Sequence, residues 1–357
     1  MKKKIIFCGG GTGGHVMPSI GLTNYFKKKG YETVLITDKR GLKYINKKNL
    51  NFLALNIGNS SQLNYIKKVF FYIKIIFSFF NSFLILKKQK PDAVFSLGGY
   101  VSFPVCLAAK ILNIKILLYE QNAVIGRTNK FFVSSCKKIF TNSEKVIKIP
   151  TKYSSKCYAI GNVLRDEILN FKFLKKEINQ SKKTIIVLGG SQGAEIFGKI
   201  IPKAISELNQ KIKIKIIQQT VPGQINEVQK FYSDKNIENY VFDFQSNIAE
   251  LISEADLAIS RCGASTLGEL QFLGVPFVAI PYPFAKDNHQ YHNADYYYKK
   301  ECCWMLNQSS LKEENLKRML IEILSNDFEL NAKRKNMSKD DSRNSLLKIE
   351  EEVKKII

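Results

Sequence analysis

Two glycine-rich turns of the same design stand at the heads of the two halves of this chain, and they limit its fold more than any other feature. The first, GGGTGG at 9–14, follows the strand-length apolar run KIIFC at 4–8. The second, GGSQGA at 189–194, follows TIIVL at 184–188. A strand, a glycine turn and a helix in that order open a βαβ unit. Two such openings predict an α/β protein of two doubly wound, Rossmann-like domains. The length of 357 residues suits two domains of ordinary size. A hydrophobic fraction of 45% against 24% charged supplies two cores and a solvated surface.

Further strands are expected at 33–37, 93–97, 116–119 and 138–141 in the first half, and at 213–218, 240–242, 257–260 and 277–280 in the second. The first helix is expected over 17–29, with Pro18 near its first turn and Gly30 as its stop. Strands alternating with helices give parallel sheets covered on both faces, with ligands beyond the carboxyl ends of the strands. The domains are read as 1–160 and 161–341, facing a central cleft. The amphipathic segment 342–357 is expected to be a helix that packs back on the first domain.

The net charge of +24 has two readings: general over-use of lysine, or an anionic partner. The lysines are spread along the chain, and no nucleic-acid-binding signature occurs. Nucleic acid is therefore not expected as a partner, which leaves an anionic membrane surface and a phosphorylated substrate. The seven cysteines are scattered, with no CxxC pair. They read as buried, reduced thiols, and no metal site is expected. The basic start runs into glycines after a short apolar run, so no secretory signal is predicted.

A glycine turn between strand and helix lets backbone amides approach a phosphate at the positive end of the helix dipole. The turn at 9–14 also satisfies G-x-G-x-x-G, and Asp38 ends the next strand where a ribose-binding acid would sit. A nicotinamide-dependent oxidoreductase is thus one reading. Three features point elsewhere. His15 follows the glycines directly, a further glycine turn (LGGY at 97–100) lies in the same half, and the second half carries its own anion loop. One dinucleotide needs one such loop, whereas two phosphorylated substrates use several. No GxxxxGK[ST] is present for a P-loop ATPase.

The full motif set is larger. It comprises GGTGGH at 10–15 with Pro18, LGGY at 97–100 with Pro104, and EQNA at 120–123 with TNK at 128–130. It continues with GGSQGA at 189–194, SRCGAST at 260–266 with Glu269, and PYP at 281–283 with Asp287, His289, Gln290, Asn293 and Ala294. In order and spacing this closely resembles the MurG family of N-acetylglucosaminyltransferases, over residues 4–294. The resemblance implies a two-domain GT-B fold. It implies that the first domain takes lipid I, the polyprenyl-diphosphate-linked acceptor, and the second takes UDP-N-acetylglucosamine. Lipid II would form with inversion at the sugar's anomeric carbon and with no cofactor or bound metal. Three positions depart from the family pattern: Tyr119 stands for a usual His, Val163 for a usual Pro, and Cys262 for a small residue.

Such a transfer needs a base for the attacking hydroxyl and groups that absorb charge on the departing diphosphate. His15 is the first choice of base, because imidazole titrates near working pH. Glu120 is the second. Gly13, Gly14, His15, Gly99 and Tyr100 are assigned to the acceptor diphosphate. Ser191, Gln192 and Gly193, with Arg165 as a cation, are assigned to the donor diphosphate. Thr12, Gly13, Gly14, Asn122, Gln245, Ala264, Ser265 and Thr266 complete the donor set. Glu269 suits the two ribose hydroxyls, since a carboxylate accepts both. Gln290, with Asn293 beside it, is assigned to sugar hydroxyls, and His289 either touches the donor or closes local structure.

The most apolar stretch, 65–88, is interrupted by Lys74 and Asn81. It reads as a helix lying in a membrane interface, or as a plain outer-layer helix. A lipid-linked acceptor implies peripheral attachment at the cytoplasmic face of the cell membrane. Two readings from other classes remain open, a nicotinamide-dependent oxidoreductase and a sugar-nucleotide-binding protein without catalysis; within the enzyme reading, a related GT-B transferase with another lipid acceptor is the nearest rival.

Overall fold

β1 (Lys4–Cys8), buried over its last four residues, lies in the middle of a parallel sheet. The structure, a computed structural model, describes residues 2–45, 50–57, 65–172, 182–190, 193–245, 247–339 and 342–357. It divides into two units, Met1–Arg165 with Asp341–Ile357, and Asp166–Asp340.

In the first unit β1 is followed by α1 (Gly13–Lys28), β2 (Glu32–Asp38), β3 (Phe52–Leu55), α2 (Tyr65–Gln89), β4 (Ala93–Ser96) and α3 (Ser102–Ile111). Then come β5 (Lys115–Glu120), α4 (Arg127–Phe132), β6 (Lys138–Thr141) and β7 (Cys157–Ala159). The sheet order is β3-β2-β1-β4-β5-β6-β7. Every pairing is parallel. Strand order reverses between β1 and β4, which makes their carboxyl ends the topological switch point. Phe95 of β4 stacks on Phe7 at 5.5 Å and on Phe140 at 5.4 Å, so one aromatic row ties three strands together.

The second unit runs α5 (Asp166–Leu169), β8 (Lys183–Leu188), α6 (Glu195–Leu208), β9 (Ile214–Gln219), α7 (Ile225–Asp234), β10 (Glu238–Phe242) and α8 (Ile248–Ser253). It continues with β11 (Leu257–Ser260), α9 (Ala264–Phe272), β12 (Phe277–Ala279), α10 (His289–Lys299), β13 (Cys303–Met305), α11 (Glu313–Leu324) and α12 (Asp327–Met337). Its parallel sheet has the order β10-β9-β8-β11-β12-β13. That is the same winding a second time, with its switch point between β8 and β11. Among the described residues the fold is therefore the doubly wound α/β architecture expected from the two glycine turns.

The last helix, α13 (Ser345–Ile356), belongs to the first unit. Tyr25 Oη of α1 donates to Glu350 Oε2 at 2.7 Å, and Lys138 of β6 pairs with Glu352 at 2.7 Å.

Two expectations are corrected. α1 begins at Gly13 and not at 17, so Gly13, Gly14 and His15 form its first turn with Thr12 as N-cap. Glycine's low helix propensity hid a start that the tight turn imposes. β3, β7 and β13 are strands that the sequence does not announce. Each has a single pairing partner at a sheet edge, and such strands carry a weak apolar signal.

α2 buries Phe71, Ser78, Ser82 and Leu86 while packing against α3. Its outward side carries Phe70, Ile73, Phe77, Phe80 and Leu84, all exposed. By length and composition, Val69–Gln89 is the one helix among the described residues apolar enough to cross a membrane, with mean hydropathy 2.0.

Candidate active site

At the first switch point, the turn after β1 is fixed from behind. Gly9 N donates to Ile36 O at 3.1 Å, and Gly11 N donates to Asp38 Oδ1 at 3.0 Å. Asp38 is fully buried; its Oδ1 also accepts Gly41 N at 3.0 Å, and its Oδ2 takes Arg40 Nε and Nη2 at 2.9 and 2.7 Å. The acid that a dinucleotide reading would place on a ribose is thus committed to shaping the turn.

The second turn of this unit, after β4, presses on the first. A Cβ built on Gly99 would sit 2.5 Å from Gly10 O, and its φ of +81° is one that only glycine adopts without strain. Gly99→Ala is therefore expected to destabilise the first unit by about 1–3 kcal/mol and to raise the acceptor KM, read by thermal melting and steady-state kinetics. A melting temperature and acceptor KM equal to those of the parent would show that the two turns need no such contact. Thr128 Oγ1 of α4 donates to Gly99 O at 3.1 Å and holds the turn there. Tyr100 stacks edge-on against Phe71 of α2 at 5.2 Å.

His15 lies between the turns. Its Nδ1 is 2.7 Å from Leu97 O. A carbonyl only accepts, so Nδ1 carries the hydrogen, and in the neutral form of the ring Nε2 is the basic nitrogen. Gly98 stays clear of the ring: a Cβ there would meet His15 Cε1 at 3.1 Å. The first amides of α1, at Gly13 and Gly14, have no acceptor within the helix, the arrangement that suits an anion at a helix N-terminus.

Glu120, the second candidate for the base, stands at the end of β5. Its Oε1 accepts Asn122 N at 3.1 Å and Asn122 Nδ2 at 3.0 Å, and its Oε2 accepts Gly126 N at 2.9 Å and Asn129 Nδ2 at 3.1 Å. A carboxylate has about four acceptor positions, and all are taken. Buried and saturated, Glu120 staples the loop after β5 and has no lone pair left for a hydroxyl proton. Asn129 is fixed in turn by Ser96 Oγ, which donates to its Oδ1 at 2.9 Å. The clamp role of Asp38 is not legible in the sequence, and for Thr128 and Asn129 the TNK motif is the one signal.

At the second switch point, Gly189 N donates to Gln219 Oε1 at 3.0 Å, and the turn closes through Gly193 N to Gly190 O at 3.0 Å. Ser191 and Gln192 lie outside the described residues; Gly193 and Ala194 lead into α6. Next to it, Gly263 caps α9, which places Ala264, Ser265 and Thr266 in the first helical turn and buries Glu269 one turn on. Gln290 Oε1 accepts Cys262 N at 3.1 Å and Tyr282 N at 2.9 Å, so its Nε2 is left to act as a donor. Asn293 is buried and donates to Cys262 O at 3.0 Å, which fixes it to the turn before α9. His289 Nδ1 lies 2.8 Å from Lys286 O and closes the start of α10. Arg261, also unassigned by the sequence reading, buries its guanidinium 4.6 Å over Phe197 and donates to Ile280 O, Pro281 O and Gln308 Oε1. Burial pulls that guanidinium below its ordinary pKa.

Thr12, Gly13, Gly14, His15, Gly99, Tyr100, Glu120 and Asn122 thus gather around the first switch point, and Gly193, Ala264, Ser265, Thr266, Glu269 and Gln290 around the second. Gln245 follows β10 at the sheet edge, where its Nε2 donates to Tyr240 Oη at 3.0 Å. Arg165 is the last residue of the first unit's long segment and is half-buried.

Comparison with known proteins gives a consistent result. The glycosyltransferase family 28 N-terminal domain matches residues 5–141, and the family 28 C-terminal domain matches residues 184–352. A Pelagibacter ubique protein is 42% identical over 339 residues, 94% of each chain. A Rickettsia felis protein is 37% identical over 335 residues, 91% of each chain. Both carry the name UDP-N-acetylglucosamine–N-acetylmuramyl-(pentapeptide) pyrophosphoryl-undecaprenol N-acetylglucosamine transferase. Among solved structures, Acinetobacter baumannii MurG superposes with a TM-score of 0.80 at 26% identity, over 99% of this chain and 100% of that one.

Proposed function

The chain belongs to glycosyltransferase family 28, and from that membership and its two glycine turns we infer that it transfers N-acetylglucosamine from UDP-N-acetylglucosamine to lipid I. The acceptor group is the C4 hydroxyl of N-acetylmuramoyl-pentapeptide on undecaprenyl diphosphate, and the product is lipid II of peptidoglycan synthesis. The observation that carries the reading is a histidine with its basic nitrogen defined, set between two glycine turns in a unit that is one of a pair.

In this reading His15 Nε2 takes the proton of the C4 hydroxyl as that oxygen bonds to the donor's anomeric carbon. The bond from that carbon to the diphosphate oxygen breaks on the opposite side, so the configuration inverts and UDP leaves. Amides of the turn at 189–194 and of the α9 N-terminus stabilise the charge on the leaving diphosphate, joined by Arg165. Glu269 accepts from the ribose hydroxyls, and Gln290 Nε2 donates to a sugar hydroxyl. Gly13, Gly14, Gly99 and Tyr100 hold the acceptor diphosphate. The test is incorporation of labelled sugar into a lipid I analogue, with UDP-N-acetylgalactosamine and UDP-glucose as competing donors. Preferred incorporation from UDP-N-acetylglucosamine is expected. UDP binding with no acceptor-dependent UDP release would instead leave a sugar-nucleotide-binding protein.

The acceptor's lipid also gives the exposed side of α2 a role. We propose that Phe70, Phe77, Phe80 and Leu84 enter the interface of the cytoplasmic membrane leaflet while lysines meet anionic headgroups, so the protein attaches peripherally. Phe71 of the same helix packs on Tyr100, which links the lipid-facing helix to the turn assigned to the acceptor diphosphate. Replacing Phe77 and Phe80 with glutamate is expected to weaken binding to anionic vesicles by roughly 10- to 100-fold per site. Turnover of a water-soluble acceptor should be unchanged. Vesicle binding equal to that of the parent would overturn the interfacial role.

A further inference from the structure

The segment that leads out of the first unit is pinned residue by residue. Ile160 N donates to Thr141 O at 2.9 Å, and Ile160 O accepts from Ser345 Oγ. Asn162 N donates to Ser342 Oγ at 3.0 Å. The last of these ties is Val163 N, which donates to Tyr119 Oη at 3.0 Å. Tyr119 and Val163 are each at most 5% exposed, so water cannot replace that bond.

Val163 brings a buried N–H donor that must find an acceptor, where a proline would bring none. The phenol at 119 supplies it. Tyr119 immediately precedes Glu120, the staple of the acceptor-side loop, and Val163 stands two residues before Arg165. The bond therefore joins the end of β5 to the backbone from which the assigned donor-side cation projects.

We propose that Tyr119 is a positioning residue for the transfer: by holding the Val163 amide, its hydroxyl sets where Arg165 presents its guanidinium to the donor. The proposal rests on the reading of Arg165 as a donor-diphosphate ligand, and the test separates the two. Tyr119→Phe, Arg165→Ala and the double variant are made in the full chain, and kcat and both KM values are measured. Tyr119→Phe is expected to raise the donor KM roughly 3- to 10-fold, the range a single hydrogen bond commands, with little change in the acceptor KM. Combined with Arg165→Ala it should add nothing further, because it acts through that side chain.

A rise of both KM values together, no rise at all, or the same multiplication of donor KM with and without Arg165 would each overturn the proposal. An unchanged donor KM in Arg165→Ala alone would remove the ligand reading and the proposal with it. A raised one beside a silent Tyr119→Phe would sink only the positioning role. Should Tyr119→Phe melt too early to assay, adding Val163→Pro removes the stranded hydrogen and should restore the melting temperature toward the parent. No restoration would count against the bond.

Discussion

Replacing His15 with asparagine is expected to lower kcat by about 10²- to 10⁴-fold, the loss typical of removing a general base, with the fold intact. The reason lies in the ring's two nitrogens. Nδ1 serves the structure through Leu97 O at 2.7 Å, and an asparagine Nδ2 can take over that donation. Nothing in asparagine replaces the basic Nε2. The acid limb of the pH–rate profile, which arises as a histidine base is protonated, should disappear in the variant. Melting temperature and steady-state kinetics over pH check both parts. A variant that keeps most of its kcat and the acid limb would show that another group takes the proton.

Glu120→Gln is expected to do the converse and damage the fold first. Every partner of both carboxylate oxygens is a donor: Asn122 N and Nδ2 on one, Gly126 N and Asn129 Nδ2 on the other. Whichever way the glutamine amide turns, its NH2 faces two N–H groups and strands them. Asn129 is buried while Asn122 is half-buried and Gly126 exposed, so about one stranded buried group counts, and the loss is about 1–3 kcal/mol. In a unit of this size that lowers the melting temperature by roughly 2–12 °C. Calorimetry decides the matter. A variant as stable as the parent but without turnover would return Glu120 to the role of base. The pair of substitutions therefore separates chemistry from scaffolding within one loop cluster.

The difference between these two residues also shows what the sequence could disclose. β1 and β8 are legible because strands buried on both faces are nearly continuous runs of apolar residues. The glycines after them are legible because a turn that tight admits little else. From these, two doubly wound units follow, and both sheets have that order. β3, β7 and β13 carry no comparable mark, since each pairs on one side only. The start of α1 was obscured because Gly13 and Gly14 are poor helix formers held in place by the turn before them. In the site, sequence spacing points to residue types but not to which atoms are already spoken for. That Glu120 is saturated follows from donors two to nine residues away, brought round by the loop and α4. The orientation of Gln290 follows from Cys262 N, 28 positions earlier. Asp38 reads equally as a ribose ligand or a turn clamp until Arg40 and two glycine amides are seen around it.

In the proposed reaction the second unit holds the nucleotide, and the first supplies the base and holds the acceptor diphosphate. Calorimetric titration of UDP into the parent, Glu269→Ala and His15→Asn measures that division directly. UDP affinity is expected to fall by more than about tenfold in Glu269→Ala, which loses two charge-assisted hydrogen bonds, and to stay near the parent value in His15→Asn. Loss of UDP binding in His15→Asn with full binding in Glu269→Ala would contradict the account.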